Sequence, residues 1–554
     1  MKTNVFILLS AFCISALATK PPRWDLLHHV KAVLYIPYAE IVEPFEAWFD
    51  KNTNRSRIDY YNGMVKTYQL GRNGPYGTLL KIAPVTTKEK SNEITCLQVN
   101  GTSENRVEPQ SVLPDCKQFS LADTLEFRNW NCNKFTFEEM IGEKKNQYTI
   151  YVRYVKSPKY PASLQPIPVR YEMRGFNTLL GSHYDHYYID YDSYVHDDIP
   201  DDIFEYDTED KPCIAFPGPG NGHYATFNPM KEFVHPADVS HVDIEQARFI
   251  NKHGVVYATT EERMRRHHVF MHNLRYIHSK NRQNLGFSLT VNRFADRTDD
   301  EMKALRGFRR TVGYNGGRPF PYHLNVTILA DLPDDYDWRL YGAVTEVKDQ
   351  SVCGSCWSFG TTGAIEGAWF LKNGGNLVRM SQQALIDCSW GQQNNGCDGG
   401  EDFRAYQWVK ENGGIPTEES YGGYLGQDGY CHVNDKNVTL VAPVTGWVNV
   451  TRNNPNALKV ALIYKGPISV AIDASHKSFS FYSHGVYFEP KCGNKEEDMD
   501  HAVLVVGYGL MNGEQYWLVK NSWSNMWGND GYILMSARDN NCGVLNDGTY
   551  VTFD

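Results

Sequence analysis

The chain has 554 residues, 42% of them hydrophobic and 22% charged, which is enough for two to four domains with cores of their own. A net charge of −10 gives no reason to expect nucleic acid as a partner. After the N-terminus no apolar run reaches the roughly 18 residues of a membrane helix, so no membrane span is expected.

Residues 1–18 read as a secretory leader. Lys2 supplies the charge, Val5 to Leu17 is apolar, and Ala16-Leu17-Ala18 is a small-x-small cleavage site. The mature protein is therefore expected in the secretory pathway, as an extracellular, lysosomal or granule protein. Sequons at Asn54, Asn100, Asn325, Asn437 and Asn449 fit that route. Cys13 leaves with the leader, and eleven cysteines remain. An odd number in an oxidising compartment points to one free, reactive thiol.

Residues 19–220 are rich in Tyr, Phe, Val, Thr and Ile. Stretches such as Val30 to Ile36, Arg57 to Tyr61 and Tyr148 to Tyr154 alternate, with Glu43 to Phe49 as a further strand. Turn signals at Asn62-Gly63, Asn73-Gly74-Pro75 and Asn100-Gly101 separate them, so this region is an antiparallel β-rich domain. Its strands and four cysteines (Cys96, Cys116, Cys132, Cys213) resemble the open half-barrel sheets of ependymin-like proteins, and three disulfide pairings are open. The Asp- and Tyr-rich segment Tyr184 to Asp210 lacks the ligand spacing of a calcium loop and reads as a solvated acidic surface. Gly218-Pro219-Gly220-Asn221-Gly222 then marks a break, and residues 221–243 read as a linker.

Helical periodicity follows. Glu262, Arg266, Phe270, Asn273, Ile277 and Asn281 recur at steps of three and four and share one helix face. Asn292, Phe294 and Asp296 come next at alternate positions. Further on, Gly354 and Ser355 permit a tight turn immediately before Cys356. After it, Ala364, Ile365, Ala368 and Leu371 keep helical spacing. Cys356 thus sits near a helix N-terminus, whose partial positive charge favours the thiolate, the reactive form of cysteine. Gln350, six residues earlier, is placed to aim an N–H at an oxyanion beside the sulfur. A thiolate needs a basic partner and the partner needs orienting. His501 heads one apolar β run, and Asn521 ends another that starts at Tyr516.

These segments resemble the papain-like, cathepsin L-type cysteine proteases. The nucleophile signature is matched by Cys353-Gly354-Ser355-Cys356-Trp357, and the separation of about 145 residues from Cys356 to His501 fits that family. The six-residue helix face resembles the family's E-R-F-N-I-N propeptide helix, with Thr290 where a glycine usually precedes the second motif. The resemblance implies an α+β fold. A papain-like two-lobe catalytic domain (helical lobe plus β-barrel lobe, residues 331–554) follows a helical inhibitory propeptide (244–330) and the β-rich N-terminal domain. It implies an endopeptidase zymogen whose propeptide runs through the cleft in the non-productive direction.

The roles it implies are residue by residue. Cys356 is the nucleophile, paired with His501; Asn521 orients His501 beneath Trp523; Gln350 completes the oxyanion hole. Gly399 and Gly400 face the substrate backbone, with Glu401, Asp402, Met499, Asp500 and Asp547 around the same cleft. Ser524 stands where the family usually has a glycine after the tryptophan. It implies the disulfides Cys353–Cys397, Cys388–Cys431 and Cys492–Cys542, each closing a loop worth on the order of 4 kcal/mol. Glu401 and Asp402 stand where the family usually has apolar wall residues of the S2 pocket, and Asp547 stands at its floor, so a basic residue is expected there in substrates. No metal or other cofactor is expected. The expected partners are protein or peptide substrates and the chain's own propeptide. The long extra domain also resembles the two-chain 26/29 kDa type of insect proteinase, which implies that the N-terminal chain stays with the catalytic chain. The rival expectation is a catalytically silent binding or inhibitory protein on a protease scaffold.

Overall fold

The structure, a computed structural model, describes residues 20–156, 163–196, 199–208, 212–216, 228–324 and 326–553. The leader with Cys13, the glycine-rich break at 218–222 and the sequon Asn325 lie outside the described residues. The chain forms two compact units. One holds residues 20–85 and 93–284; the other holds 86–92 and 285–553. The division falls inside the 244–330 segment, at residue 284.

The first unit is built on twelve strands: β1 (Leu27–Ile36), β2 (Ile41–Asp50), β3 (Arg55–Tyr60), β4 (Val65–Leu70), β5 (Thr78–Val85), β6 (Glu93–Asn100), β7 (Ser120–Phe127), β8 (Trp130–Ile141), β9 (Lys144–Lys156), β10 (Leu164–Asn177), β11 (Ser182–Val195) and β12 (Ile214–Ala215). Their order is β12-β6-β5-β4-β3-β2-β1-β11-β10-β9-β8-β7. Every neighbouring pair is antiparallel except β12 with β6. Alternation makes one face apolar: β1 buries Val30, Ala32, Leu34 and Ile36 at every second position. Asn62 and Gly63 turn β3 into β4 with positive φ, which Asn and Gly tolerate best.

Among the described residues three α-helices belong to this unit: α1 (Met230–Phe233), α2 (Ser240–His253) and α3 (Thr260–Asn281). Met230 and Phe233 join the core formed by Phe45, Phe135, Ile150, Tyr171, Tyr187 and Ile189. The Thr259 hydroxyl caps α3 at the Glu262 amide.

Two expectations are corrected here. Tyr184 to Asp210 is a solvated acidic surface only in part, at the exposed Asp192, Asp201, Asp202, Glu205 and Asp207. Its first half is β11, with Tyr184, Asp185, Tyr187, Ile189, Asp190, Tyr191 and Tyr194 buried, and both aspartates pair with arginines. The expectation of one free thiol also fails. Cys96 pairs with Cys213, while Cys116 and Cys132 are free and buried beside Cys356 in the count. Parity cannot separate a bridged cysteine from a buried one acting as a small apolar residue.

The second unit contains β13 (Phe287–Leu289), β14 (Arg318–Pro319), α4 (Cys356–Lys372), α5 (Gln382–Cys388), α6 (Asp402–Glu411), β15 (Gly446–Asn449), β16 (Ile468–Ile472), β17 (Tyr482–Tyr487), β18 (His501–Met511), β19 (Glu514–Lys520), β20 (Tyr532–Ser536) and β21 (Thr549–Thr552). The sheet order is β13-β17-β20-β19-β18-β16-β21-β15-β14. Helix α4 lies on this sheet through Gly360, Gly363 and Gly367. A Cβ at these positions would come within 2.7, 2.6 and 2.3 Å of Ser469, Leu504 and Pro467. Small residues on one helix face thus fix the depth at which Cys356 meets the strand carrying His501. Disulfides join Cys353 to Cys397, Cys388 to Cys431 and Cys492 to Cys542. Among the described residues no helix is long and apolar enough to cross a membrane.

Candidate active site

Cys356 is the first residue of α4 and is fully buried. The Ala502 amide donates to its Sγ at 3.5 Å, which sets the sulfur beside the start of β18. The His501 ring lies 2.8 Å through Nε2 from Asn521 Oδ1. That oxygen also accepts from the Ser522 amide, so Nε2 carries the proton, as an amide oxygen only accepts. Nδ1 has no hydrogen-bond partner among the described residues. Trp523 covers the imidazole at 5.0 Å between ring centres, and Phe479 stands edge-on to Trp523 at 5.4 Å. The Gln350 side chain is fixed at both ends: Ser522 Oγ donates to Oε1 at 2.6 Å, and Nε2 donates to the carbonyls of Leu305 and Cys353, both at 2.8 Å.

Leu305 belongs to a strap, residues 285–324, that crosses this site. Asn292 Nδ2 donates to the Ser480 carbonyl at 2.8 Å, and Phe294 stacks edge-on to Trp523 at 5.5 Å. Arg306 Nε reaches Asp500 at 2.7 Å. The Gly400 amide donates to the Gly307 carbonyl at 2.9 Å, and the Arg309 amide donates to the Gly400 carbonyl at 3.0 Å. The resulting bridge between Phe308 and Gly400 is parallel. Farther along, the Thr311 amide donates to Glu401 at 2.7 Å, and Arg310 pairs with Glu496.

Gly307 is irreplaceable at the crossing, because a Cβ there would lie 1.7 Å from the Gly354 carbonyl oxygen. Gly307→Ala is therefore expected to lift the strap off the cleft. The precursor should then cleave a fluorogenic peptide at neutral pH without processing, at least about tenfold faster than the parent precursor. Unchanged latency would show that the strap does not depend on this contact.

Electrostatics follow from burial. Desolvation pushes the Cys356 thiol up to about 11, against the amides of Ala502 and Gly307 that favour the thiolate. Desolvation lowers His501 to about 4, opposed by Asn521 and reinforced by the Arg306 charge. With the strap in place burial thus favours the neutral forms of both groups, against the thiolate that the helix N-terminus favours. The helix N-terminus is present, but burial outweighs it.

The acidic residues converge. Glu401 and Asp402 are buried, not directed to solvent. Asp402 accepts from the Thr549 hydroxyl, and Glu401 holds Thr311 and Arg404. Asp547 is raised to about 7, first by desolvation and then by Asp402, with Arg452 and Arg310 opposing. Asp402 is raised to about 6 by burial and by Glu401. Phe308 packs into the core that contains Met499 and Ala471. The sequon Asn449 has its amide tied to Asn315, at 2.7 and 3.0 Å in the two directions.

Sequence reasoning missed Arg306, Ser522 and Phe479. Arg306 opens the basic run Arg306-Gly307-Phe308-Arg309-Arg310, whose glycine between charged residues was the available signal. Ser522 and Phe479 act through other side chains, and no spacing marks them.

Comparison with known proteins agrees with this geometry. Residues 332–552 match the papain family cysteine protease model, and residues 247–302 match the cathepsin propeptide inhibitor domain (I29). Digestive cysteine proteinase 1 of Homarus americanus is 45% identical over 311 residues, covering 55% of this chain and 93% of that protein. Cathepsin L2 of Homo sapiens is 43% identical over 305 residues, covering 54% of this chain and 86% of that protein. The structure of digestive procathepsin L2 proteinase from Tenebrio molitor larval midgut superposes with a TM-score of 0.53 at 35% identity, covering 56% of this chain and all of that one. The chain belongs to the papain family of cysteine proteases. Within it, this is a cathepsin L-like cysteine protease zymogen that carries its inhibitory propeptide in the same chain.

Proposed function

We propose that the chain is the precursor of a secreted or lysosomal endopeptidase that works through Cys356, His501, Asn521 and Gln350. The observation that carries this reading is the Gln350 amide. Its Nε2 donates to a peptide carbonyl of the strap, that of Leu305, two residues before Gly307, which meets the sulfur's loop at Gly354. A site that already binds a peptide carbonyl there suits an oxyanion. Once the strap leaves, water reaches the dyad and the proton moves from Cys356 Sγ to His501. The thiolate attacks the scissile carbonyl, and Gln350 Nε2 with the Cys356 amide holds the oxyanion. His501 gives its proton to the leaving amine, then takes one from the water that releases the acyl group. Asn521 keeps the ring in place throughout. The mature catalytic chain is proposed to begin near Leu332, with the N-terminal chain retained beside it.

Acid is proposed to trigger release, but not through the Arg306–Asp500 pair. Burial raises Asp500 to about 6 despite Arg306, so docking there takes up a proton and is not weakened by acid. The acid-labile part is the helical part. His267 is lowered to about 4, and His268 and His278 to about 3, mainly by desolvation, with Lys144, Arg275 and Arg282 adding repulsion. Histidines kept neutral in the fold contribute stability that is complete above about 6.5 and is lost as pH falls towards those values.

Incubation at about pH 5, inside that window, should release a chain starting near Leu332. An alkylating epoxide should then label Cys356 in the processed chain and not in the precursor at pH 7.5. Equal labelling of both, or labelling of neither, would refute the reading.

A further inference from the structure

The helix face that defines the propeptide motif is only half of α3. Met271, Arg275, Ser279 and Arg282 recur at steps of four, four and three and form a second face. This face is also buried, against strands of the N-terminal sheet within the same unit. Arg282 makes a two-pronged pair with Glu43 of β2, at 2.5 and 2.7 Å. Arg275 makes another with Asp185 of β11, at 2.8 and 2.9 Å, and its Nε reaches Glu232 of α1 at 2.6 Å. Glu43 is 1% exposed, Asp185 2%, Arg275 4% and Arg282 8%. Around these pairs, Tyr61 bonds Ser279 at 2.6 Å and Gln283 at 3.0 Å, His272 meets the Tyr184 carbonyl at 2.9 Å, and Tyr184 stacks on His268.

A buried carboxylate without its cation is strongly disfavoured, and two-pronged arginine pairs are geometrically demanding. Glu43 and Asp185 therefore have no place on the inner side of a free-standing sheet; they are set there for Arg282 and Arg275. Neither arginine belongs to the six-residue motif face, so an inhibitor acting on a protease alone would have no use for them. We infer that the N-terminal domain is an intramolecular receptor for the propeptide helices, gripping α3 through Glu43 and Asp185 and so holding the strap on the cleft. This rests on the zymogen reading for its consequence, but its first test does not.

The first test is a double-mutant cycle in the full-length Cys356→Ser precursor at neutral pH, read by hydrogen exchange of α3 amides from Phe270 to Ser279. Glu43→Met and Arg282→Met are each expected to speed exchange at least about tenfold, and the double variant to recover most of that loss, because two apolar partners replace a broken pair. Independent, additive effects would overturn the proposal. The second test uses the otherwise wild-type chain. Arg282→Met should raise the rate of epoxide labelling of Cys356 in the unprocessed precursor about tenfold, with kcat/KM of the processed enzyme unchanged. The Glu43→Met/Arg282→Met pair should restore slow labelling. Labelling that stays slow in Arg282→Met would overturn the receptor's part in inhibition. Where single variants fold poorly, the double variant's labelling rate against the parent still decides: rapid labelling with α3 protected contradicts the proposal.

Discussion

Replacing Cys356 by serine is expected to lower kcat for a fluorogenic peptide by at least about 10⁴-fold with little change in KM, because nucleophile loss removes a transition-state interaction and leaves binding. The measurement needs the precursor processed in trans, since the variant cannot process itself. A hydroxyl is far too weak an acid to pass its proton to His501 and persist as an ion pair, and the Ala502 amide 3.5 Å from Sγ cannot offset that difference. Asn521→Ala should cost less, on the order of 10²-fold, the scale of a misplaced catalytic group. The ring would lose its 2.8 Å anchor at Nε2 but keep Trp523 above it. Near-normal turnover in Cys356→Ser would remove Cys356 from the role proposed for it.

The residues of the site were legible in sequence, and their state was not. Cys356 after Gly354-Ser355, His501 at the head of a strand and Asn521 at the end of another are positions where local pattern fixes where a side chain begins. Protonation depends on what covers the site. The cover is the backbone of residues 305–309, which carries no residue-type signature beyond Gly307 and Arg306. The fold divides in the same way. Alternation gave β1 and β2, since each strand reports its own buried face. The acidic run was misread at Asp185 and Asp190 because an aspartate's neighbours are set by β11 pairing and, for Asp185, by an arginine 90 residues later, at Arg275. Helix α3 shows both cases at once. Its motif face could be read from spacing, whereas its second face acquires meaning only beside Glu43, 239 residues before Arg282.

Substrate selection should be pH-dependent, with arginine at the position two before the scissile bond accepted better as pH rises. Phe308 of the strap lies in the core that holds Met499 and Ala471, and the charge of the strap's Arg310 acts on Asp547. The strap thus brings an apolar and a basic side chain to the region a substrate would occupy. Asp547 at about 7 and Asp402 at about 6 are raised because burial and mutual repulsion favour the neutral acid. Removing the strap admits water and takes Arg310 away, two opposing changes, while the repulsion from Asp402 stays. The remaining repulsion and burial still favour the neutral acid, so the attraction for arginine is expected to weaken as pH falls through the raised range of these two carboxylates. The quantity to measure is the ratio of kcat/KM for Arg-Arg over Phe-Arg fluorogenic peptides at pH 5 and pH 7.5. It should rise about tenfold or more in the processed parent enzyme. Asp547→Ala should lower the pH 7.5 ratio by about tenfold or more, since a hydrogen bond to a charged group contributes about 1.5–3 kcal/mol, and should flatten its pH dependence. A ratio that stays constant between the two pH values, or one that Asp547→Ala leaves unchanged, would remove Asp547 from the pocket.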